Sequence, residues 1–444
     1  MKTSKIFIMA LACMAALSCA KEIDNPSAPA SSTNVFTAEK AEFEVAAKST
    51  LQGKKAIWEA DDEIAVYADG AAAVKFTTES EGASVQFKSE TEVTGSSFLF
   101  AYPYNAAKGV QDGKLQLTIP SEQTARTGSF DPHAALSAAS ATDLTKAVKF
   151  KNVLALLKFN IPAELDRKIS SITVESKGGE ALAGDILLNV ADKTNEVSAN
   201  GTYSVTLSST QMAQGNYFIA VRPCNLPSGI RVLAWTTDGK NAYVKESKAC
   251  EFLVNTIYDM GDVAADNWKL ATVNAGKTVT ANEVLTDWGY SCKPARYDFY
   301  VDSFSGDFTF FWIMKECGKV KDDGTYNNAE LRYHVTNGQT SISVSPWCGD
   351  AKAVARAVDG TKRNVFSIHV HPCSDNDGNV WTQCDWILNG ETIYSVVCDG
   401  KISTGGADDV KILYDLAVEK GARYQFKASD DKPMTISKWV CTAN

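Results

Sequence analysis

The 444-residue chain has almost no helical periodicity. From Phe36 onward apolar residues recur at alternate positions, not three and four apart, which excludes a helical bundle and points to strands. After the first 18 residues no apolar run approaches the ~20 residues that span a bilayer. Gly-x-Ser-x-Gly, His-Glu-x-x-His and Glu-x-Asp-x-x-Glu are all missing, so no hydrolase or glycosidase centre is legible and no catalytic residue is assigned. Cys-x-x-Cys spacing is absent too. A net charge of -9 with mixed signs along the chain excludes the basic surface that nucleic acid needs, and no nucleic-acid partner is expected. One further absence matters below: no arginine occurs between Cys19 and Arg126.

What is present begins at the N-terminus. Lys2 and Lys5 precede about a dozen apolar residues, the length of a signal h-region. Ala16-Leu17-Ser18-Cys19 follows, and charges start at Ala20-Lys21-Glu22. This seam resembles the lipobox of bacterial lipoproteins, which implies lipid attachment at Cys19. Several acyl chains make a stable anchor, because each buried CH₂ contributes ~0.8 kcal/mol. The lysine and acids behind Cys19 resemble the surface-export signal of Bacteroidetes lipoproteins. The expected location is the cell outer membrane, lipid-anchored and facing outward. Residues 20–35, rich in Pro, Ser and Ala, read as a tether that at ~3.1 Å per residue reaches ~50 Å.

Short alternating segments separated by Gly, Asn, Asp and Ser then signal an all-β chain of sandwiches. Asn337-Gly338 and Asn389-Gly390 are hairpin signals. Short helices are expected at 131–139 and 408–419. Seven of the nine tryptophans lie at or after Trp268, and seven of the eleven cysteines fall from Cys292 to Cys441. That shift places a boundary near 262–266. The expected division is a signal peptide at 1–19, the tether at 20–35, sandwiches at 36–150 and 151–265, and a Trp- and Cys-rich module at 266–444.

Six stretches stand in a telling order: WEADDEIAVY from Trp58, FLFAYPY from Phe98, IPSEQ from Ile119, AVKFKNVLALLKFNIP from Ala147, YFIAVRP from Tyr217 and VNTIYDMG from Val254. Together they resemble the fimbrillin family of Bacteroidetes, surface lipoproteins and pilus subunits. The resemblance implies two tandem transthyretin-like β-sandwiches over roughly 36–265. It also implies partnership with other fimbrial subunits by strand exchange, after a protease cuts behind an arginine and removes the first strand. The missing arginines depart from that pattern. They favour a subunit that stays lipidated, a pilus anchor or accessory adhesin. Trp58 and its acidic turn read as structural, and LALLKFNI reads as a strand buried on both faces.

In the last module, NVFSIHVHPCSDNDGNVWTQCDWILNGETIYSV resembles the central hairpins of concanavalin-like and laminin-G-like sandwiches. Strands are expected at 296–303, 307–314, 329–336, 339–346, 364–373, 381–388 and 391–398. Alternation puts Phe366, Ile368 and Val370 on one face and Ser367, His369 and His371 on the other. A hairpin closing through SDNDGNV sets His371 opposite Gln383 and His369 opposite Asp385. His369, His371, Trp381, Gln383 and Asp385 then share a polar face with an aromatic plate, which suits a carbohydrate or another host-surface ligand. Trp386 falls on the core side. His369-x-His371 has no third metal ligand unless Asp385 joins it, so no metal and no cofactor is assigned. The alternative to a pilus role is a stand-alone glycan-binding lipoprotein that serves polysaccharide uptake.

Overall fold

The computed structural model describes residues 31–45, 57–279, 283–284, 295–314, 322, 329–345, 356–374, 376–377, 380–398, 422–428 and 432–443. The chain is all-β, and no α-helix occurs among the described residues. None of these residues forms a helix long and apolar enough to cross a membrane.

The first strand, Ser31–Glu39, lies in an eight-stranded sheet between antiparallel Ser84–Gly95 and parallel Val148–Lys149. It begins inside the stretch expected as tether. Thr33, Val35 and Thr37 suit an extended backbone, and Phe36 and Ala38 turn into the core. Trp58 is fully buried there, edge-on to Phe87 at 4.9 Å, Tyr102 at 5.1 Å and Phe150 at 5.2 Å. Its indole N–H donates to the Ala38 carbonyl at 3.1 Å, which satisfies the ring's one polar atom. It is a structural residue.

Ala155–Ile161 runs centrally between antiparallel Gly215–Val221 and parallel Thr256–Asp262. Its one buried charge, Lys158, meets Asp259 at 2.7 Å. Hydrogen bonding crosses the division expected at residue 150. Lys114–Ile119 pairs with Ala183–Leu188, and Glu122–Thr124 runs parallel to Ser204–Met212. The helix expected at 131–139 is one 3₁₀ turn, Pro132–Ala134, capped by Asp131, followed by the strand Ser137–Ala141. Proline and the Asp cap do start a helical turn, but pairing with Phe98–Tyr102 claims the residues after it. The segment 408–419 lies outside the described residues.

Beyond residue 266 all seven expected strands are present, with ends within one residue of expectation. The Asn-Gly pairs adopt left-handed φ of 50° and 69° at 337–338 and of 50° and 83° at 389–390, as two-residue hairpins require. Tyr297, Phe299, Phe366, Ile368, Trp386 and Trp439 face inward from one sheet. They pack on Phe308, Phe310, Trp312, Leu331 and Tyr333 of a five-stranded sheet. Trp386 is fully buried, as parity required, and donates to the Arg332 carbonyl at 3.1 Å.

Lys269–Val279 couples this module to the preceding one. It pairs with Asn241–Glu246 on one side and Met434–Ala443 on the other, so a single eleven-stranded sheet runs through both. The two halves of that sheet also face each other. Tyr300 and Val440 pack on Leu233, Ala242 and Val244. Beside them Arg231 reaches Asp298 at 2.9 Å, Glu246 at 2.5 Å and the Tyr300 hydroxyl at 2.5 Å. Arg296 meets the same two carboxylates, Asp298 at 2.9 Å and Glu246 at 3.0 Å. Burial alone would push the Asp298 carboxyl up, but the two guanidinium groups override it and hold the carboxyl below its usual value. Glu246 is depressed by the same balance.

Two outcomes follow. Arg231→Met takes one of two cations from the fully buried Asp298 and from Glu246 and should lower unfolding stability by about 3–5 kcal/mol in urea melts. Because Asp298 and Glu246 have depressed folded pKa values, the stability they contribute is fully present above the unfolded carboxylate range of ~4. It is lost as pH falls below that range, so the wild-type urea midpoint should drop on acidification below pH ~5 and that of Arg231→Met should drop less.

Candidate functional site: a polar cluster at the rim of the module interface

The outward face of the last module's large sheet is divided. Rows of paired residues run across it: Asp298, Ser367 and Ile387 in one, Arg296, His369 and Asp385 in the next, then His371 and Gln383. The first row lies under the preceding module, and Asp298 and Ser367 are fully buried. Two residues further along each strand the cover ends. The side chains of His369 and His371 are 27% and 24% exposed, and that of Asp385 is 12% exposed.

The register is the one expected from alternation: His369 opposite Asp385 and His371 opposite Gln383. Asp385 is the hub. Its Oδ2 lies 2.9 Å from His371 Nε2 and 3.8 Å from His369 Nδ1, while Gln383 Nε2 donates to its Oδ1 at 2.8 Å. The two imidazoles stack with centroids 4.3 Å apart and planes 25° from parallel, so the rings lean together from alternate positions whose backbone spacing is ~6.5 Å. Partial burial would raise the Asp385 carboxyl. Hydrogen bonds from Gln383, Ser395 and His371 more than offset it and bring the carboxyl below its usual value. Asp385 is therefore a fixed carboxylate at neutral pH, set beside the two histidine rings.

Of the five residues singled out in the sequence, His369, His371, Gln383 and Asp385 touch one another. Trp381 is placed by its backbone opposite Cys373, and its side chain lies outside the described residues. Two further participants were not foreseen. Arg296 stands beside His369 on the neighbouring strand Ala295–Phe304, with its charge already taken up by Asp298 and Glu246. Ser395 stands opposite Asp385 because the register shifts between Trp386 and Ile387. Uninterrupted pairing from the Asn389-Gly390 turn would have brought Tyr394 there instead. His369, His371 and Asp385 each offer an atom within 4.8 Å of the others, so Asp385 does supply the third ligand position that the His-x-His pair lacks in sequence.

A separate hollow lies elsewhere. Lys40, Phe43, Tyr102, Arg126, Phe130 and Leu156 are among the residues that line it. Lys40 sits 4.2 Å above both the Trp58 and Tyr102 rings and 3.6 Å from Asp62, with its side chain 7% exposed. Tyr102 donates to Asp62 at 2.6 Å, so the lysine is held in an aromatic and acidic cage.

No family model matches the chain, and no curated protein matches it. Among solved structures it is similar to a candidate cell adhesion protein from Bacteroides uniformis at 17% identity, covering 54% of this chain and 96% of that one with a TM-score of 0.37. It is similar to the tip fimbrial protein Mfa3 from Porphyromonas gingivalis at 12% identity, covering 55% and 98% with a TM-score of 0.27. It is also similar to LamA from Z. galactanivorans, solved with laminaritriose and laminaritetraose, at 9% identity, covering 40% and 79% with a TM-score of 0.23. Likeness at these levels assigns no function.

Gln383→Leu removes one of the donors that hold Asp385 ionised. The Asp385 carboxyl should then titrate at higher pH than in wild type, read from its ¹³C shift. An unchanged titration would mean that Gln383 is not what orients it.

Proposed function

We propose that this chain is a cell-surface lipoprotein of fimbrial or adhesin type, anchored in the outer membrane through lipid on Cys19. Its first two modules act as a spacer or assembly unit, and the polar cluster at the end of the last module meets a ligand, most simply a glycan. The observation that carries the binding reading is the convergence of His369, His371, Gln383 and Asp385 on an open sheet face next to a rigid interface. Partly exposed, hydrogen-bonded polar groups held by strands give the fixed geometry that recognition of hydroxyls needs. The order of fimbrillin-like segments in the sequence and the all-β architecture support the surface-assembly reading.

The burial of Lys40 favours an anchor over a stalk subunit. It is the one basic residue among the described residues 31–45, it follows directly on Ser31–Glu39, and its side chain is caged. A trypsin-like protease must extend the side chain into its own pocket, which the cage prevents. Arg126 is exposed, but a cut there falls after the strand Glu122–Thr124 and would free much more than the first strand. Cleavage directly behind the first strand, at Lys40, is therefore disfavoured.

Shearing intact cells, with wild-type protein and with Cys19→Ser, tests this reading. An anchor keeps its first strand, stays with cells through Cys19, and appears in sheared filaments as a minor full-length component. A purely monomeric protein, never found with filaments, would exclude a fimbrial role and leave a stand-alone glycan-binding lipoprotein. A lysine-specific protease applied to the folded mature chain should leave the bond after Lys40 intact, as read by mass spectrometry.

A further inference from the structure

We infer that His369, His371 and Asp385 form a binding site for one divalent transition-metal ion of the Zn²⁺ type. The inference rests on their placement and is independent of the proposed function. Two imidazoles and a carboxylate are a donor set that zinc takes, whereas Ca²⁺ and Mg²⁺ call for oxygen ligands throughout. Around a tetrahedral ion with ligand bonds of ~2.0–2.1 Å, neighbouring donor atoms sit about 3.3 Å apart. Here Asp385 Oδ2 lies 2.9 Å from His371 Nε2 and 3.8 Å from His369 Nδ1, on either side of that spacing. All three ligand atoms lie within 4.8 Å of one another on paired strands in fixed register, and rotations about the side-chain torsions bring them toward that spacing.

The surroundings are those of a ligand set. Gln383 occupies Oδ1 of Asp385 at 2.8 Å, which leaves Oδ2 turned toward the histidines. Orientation of a ligand carboxylate by a hydrogen bond of this kind is what tunes metal affinity in built sites. The cation on the neighbouring strand, Arg296, is engaged by Asp298 and Glu246, so it adds little repulsion. Three protein donors with part-exposed side chains leave a fourth position toward solvent, the arrangement of zinc sites that accept an outside oxygen or nitrogen donor. An ion there would give the module a charged contact point for such a donor on its ligand.

The test uses the mature chain without a histidine tag. Isothermal titration with Zn²⁺ should show one site per chain, and His371→Asn should weaken it by more than the ~10–100-fold typical of losing an outer-shell partner. Near-UV circular dichroism establishes that the variant is folded. Should it not fold, Co²⁺ spectra of the wild-type chain decide alone. Visible bands of a low-symmetry nitrogen and oxygen site, with no thiolate charge-transfer absorption, support the assignment. Absence of stoichiometric binding, a thiolate band from the neighbouring Cys373 or another cysteine, or undiminished affinity in a folded His371→Asn variant would each overturn it.

Discussion

The last module is held to the one before it by a square of charges whose inner pair, Arg231 and Asp298, is buried and whose outer pair, Arg296 and Glu246, is part-exposed. Arg231 and Glu246 come from paired strands of the preceding module, Asp298 and Arg296 from one strand of the last. Each cation touches both anions. Taken singly, these are expensive groups to remove from water, and a lone one would cost several kcal/mol. They persist because the square is complete and because apolar contacts around Tyr300 and Val440 exclude water beside it. Lys438 with Glu175 and Arg363 with Asp302 extend the polar network along the interface. Sheet continuity through Lys269–Val279 brings the two halves into reach, and the charge square fixes how they close.

That closure decides where a ligand can approach. The same strand face that is sealed at Asp298 and Ser367 becomes open two residues later, at His369 and Asp385. Strands give this change for free, since residues two apart share a face and stand about 6.5 Å apart. Arg296 belongs to both regions: it is in register with His369 and bound to the square. The polar cluster is thus braced on one side by an interface whose geometry is set by ion pairs, and it faces solvent on the other. Its own hydrogen bonds converge on one carboxylate, so the loss of a single donor changes the chemistry of the whole group.

Much of this was legible from residue alternation. The parity of VFSIHV and WTQCDWIL put Phe366 and Ile368 on one face, set Trp386 on the core side and put His369 against Asp385. The Asn-Gly turn after Leu388 fixed the start of the last hairpin. The bulge beside Trp386, which gives Asp385 its serine partner, leaves no mark in the alternation. The alternation read Ser367, His369 and His371 as one continuous polar face, because nothing local reveals that Asp298, which Ser367 hydrogen-bonds, meets Arg231 from a strand some 65 residues earlier. Likewise, strands near residue 120 pair with strands beyond 180, a consequence of non-local sheet order that no local pattern carries. Pro132 and Asp131 gave a true helix start that sheet pairing cut to one turn.

The measurement that tests the account most directly is affinity electrophoresis of the mature chain through gels containing soluble polysaccharides, comparing wild type with Asp385→Asn. The account predicts retardation by at least one polysaccharide in wild type and its loss in the folded variant. Retardation that is identical in both would place binding away from the His369–Asp385 rim and contradict the central claim.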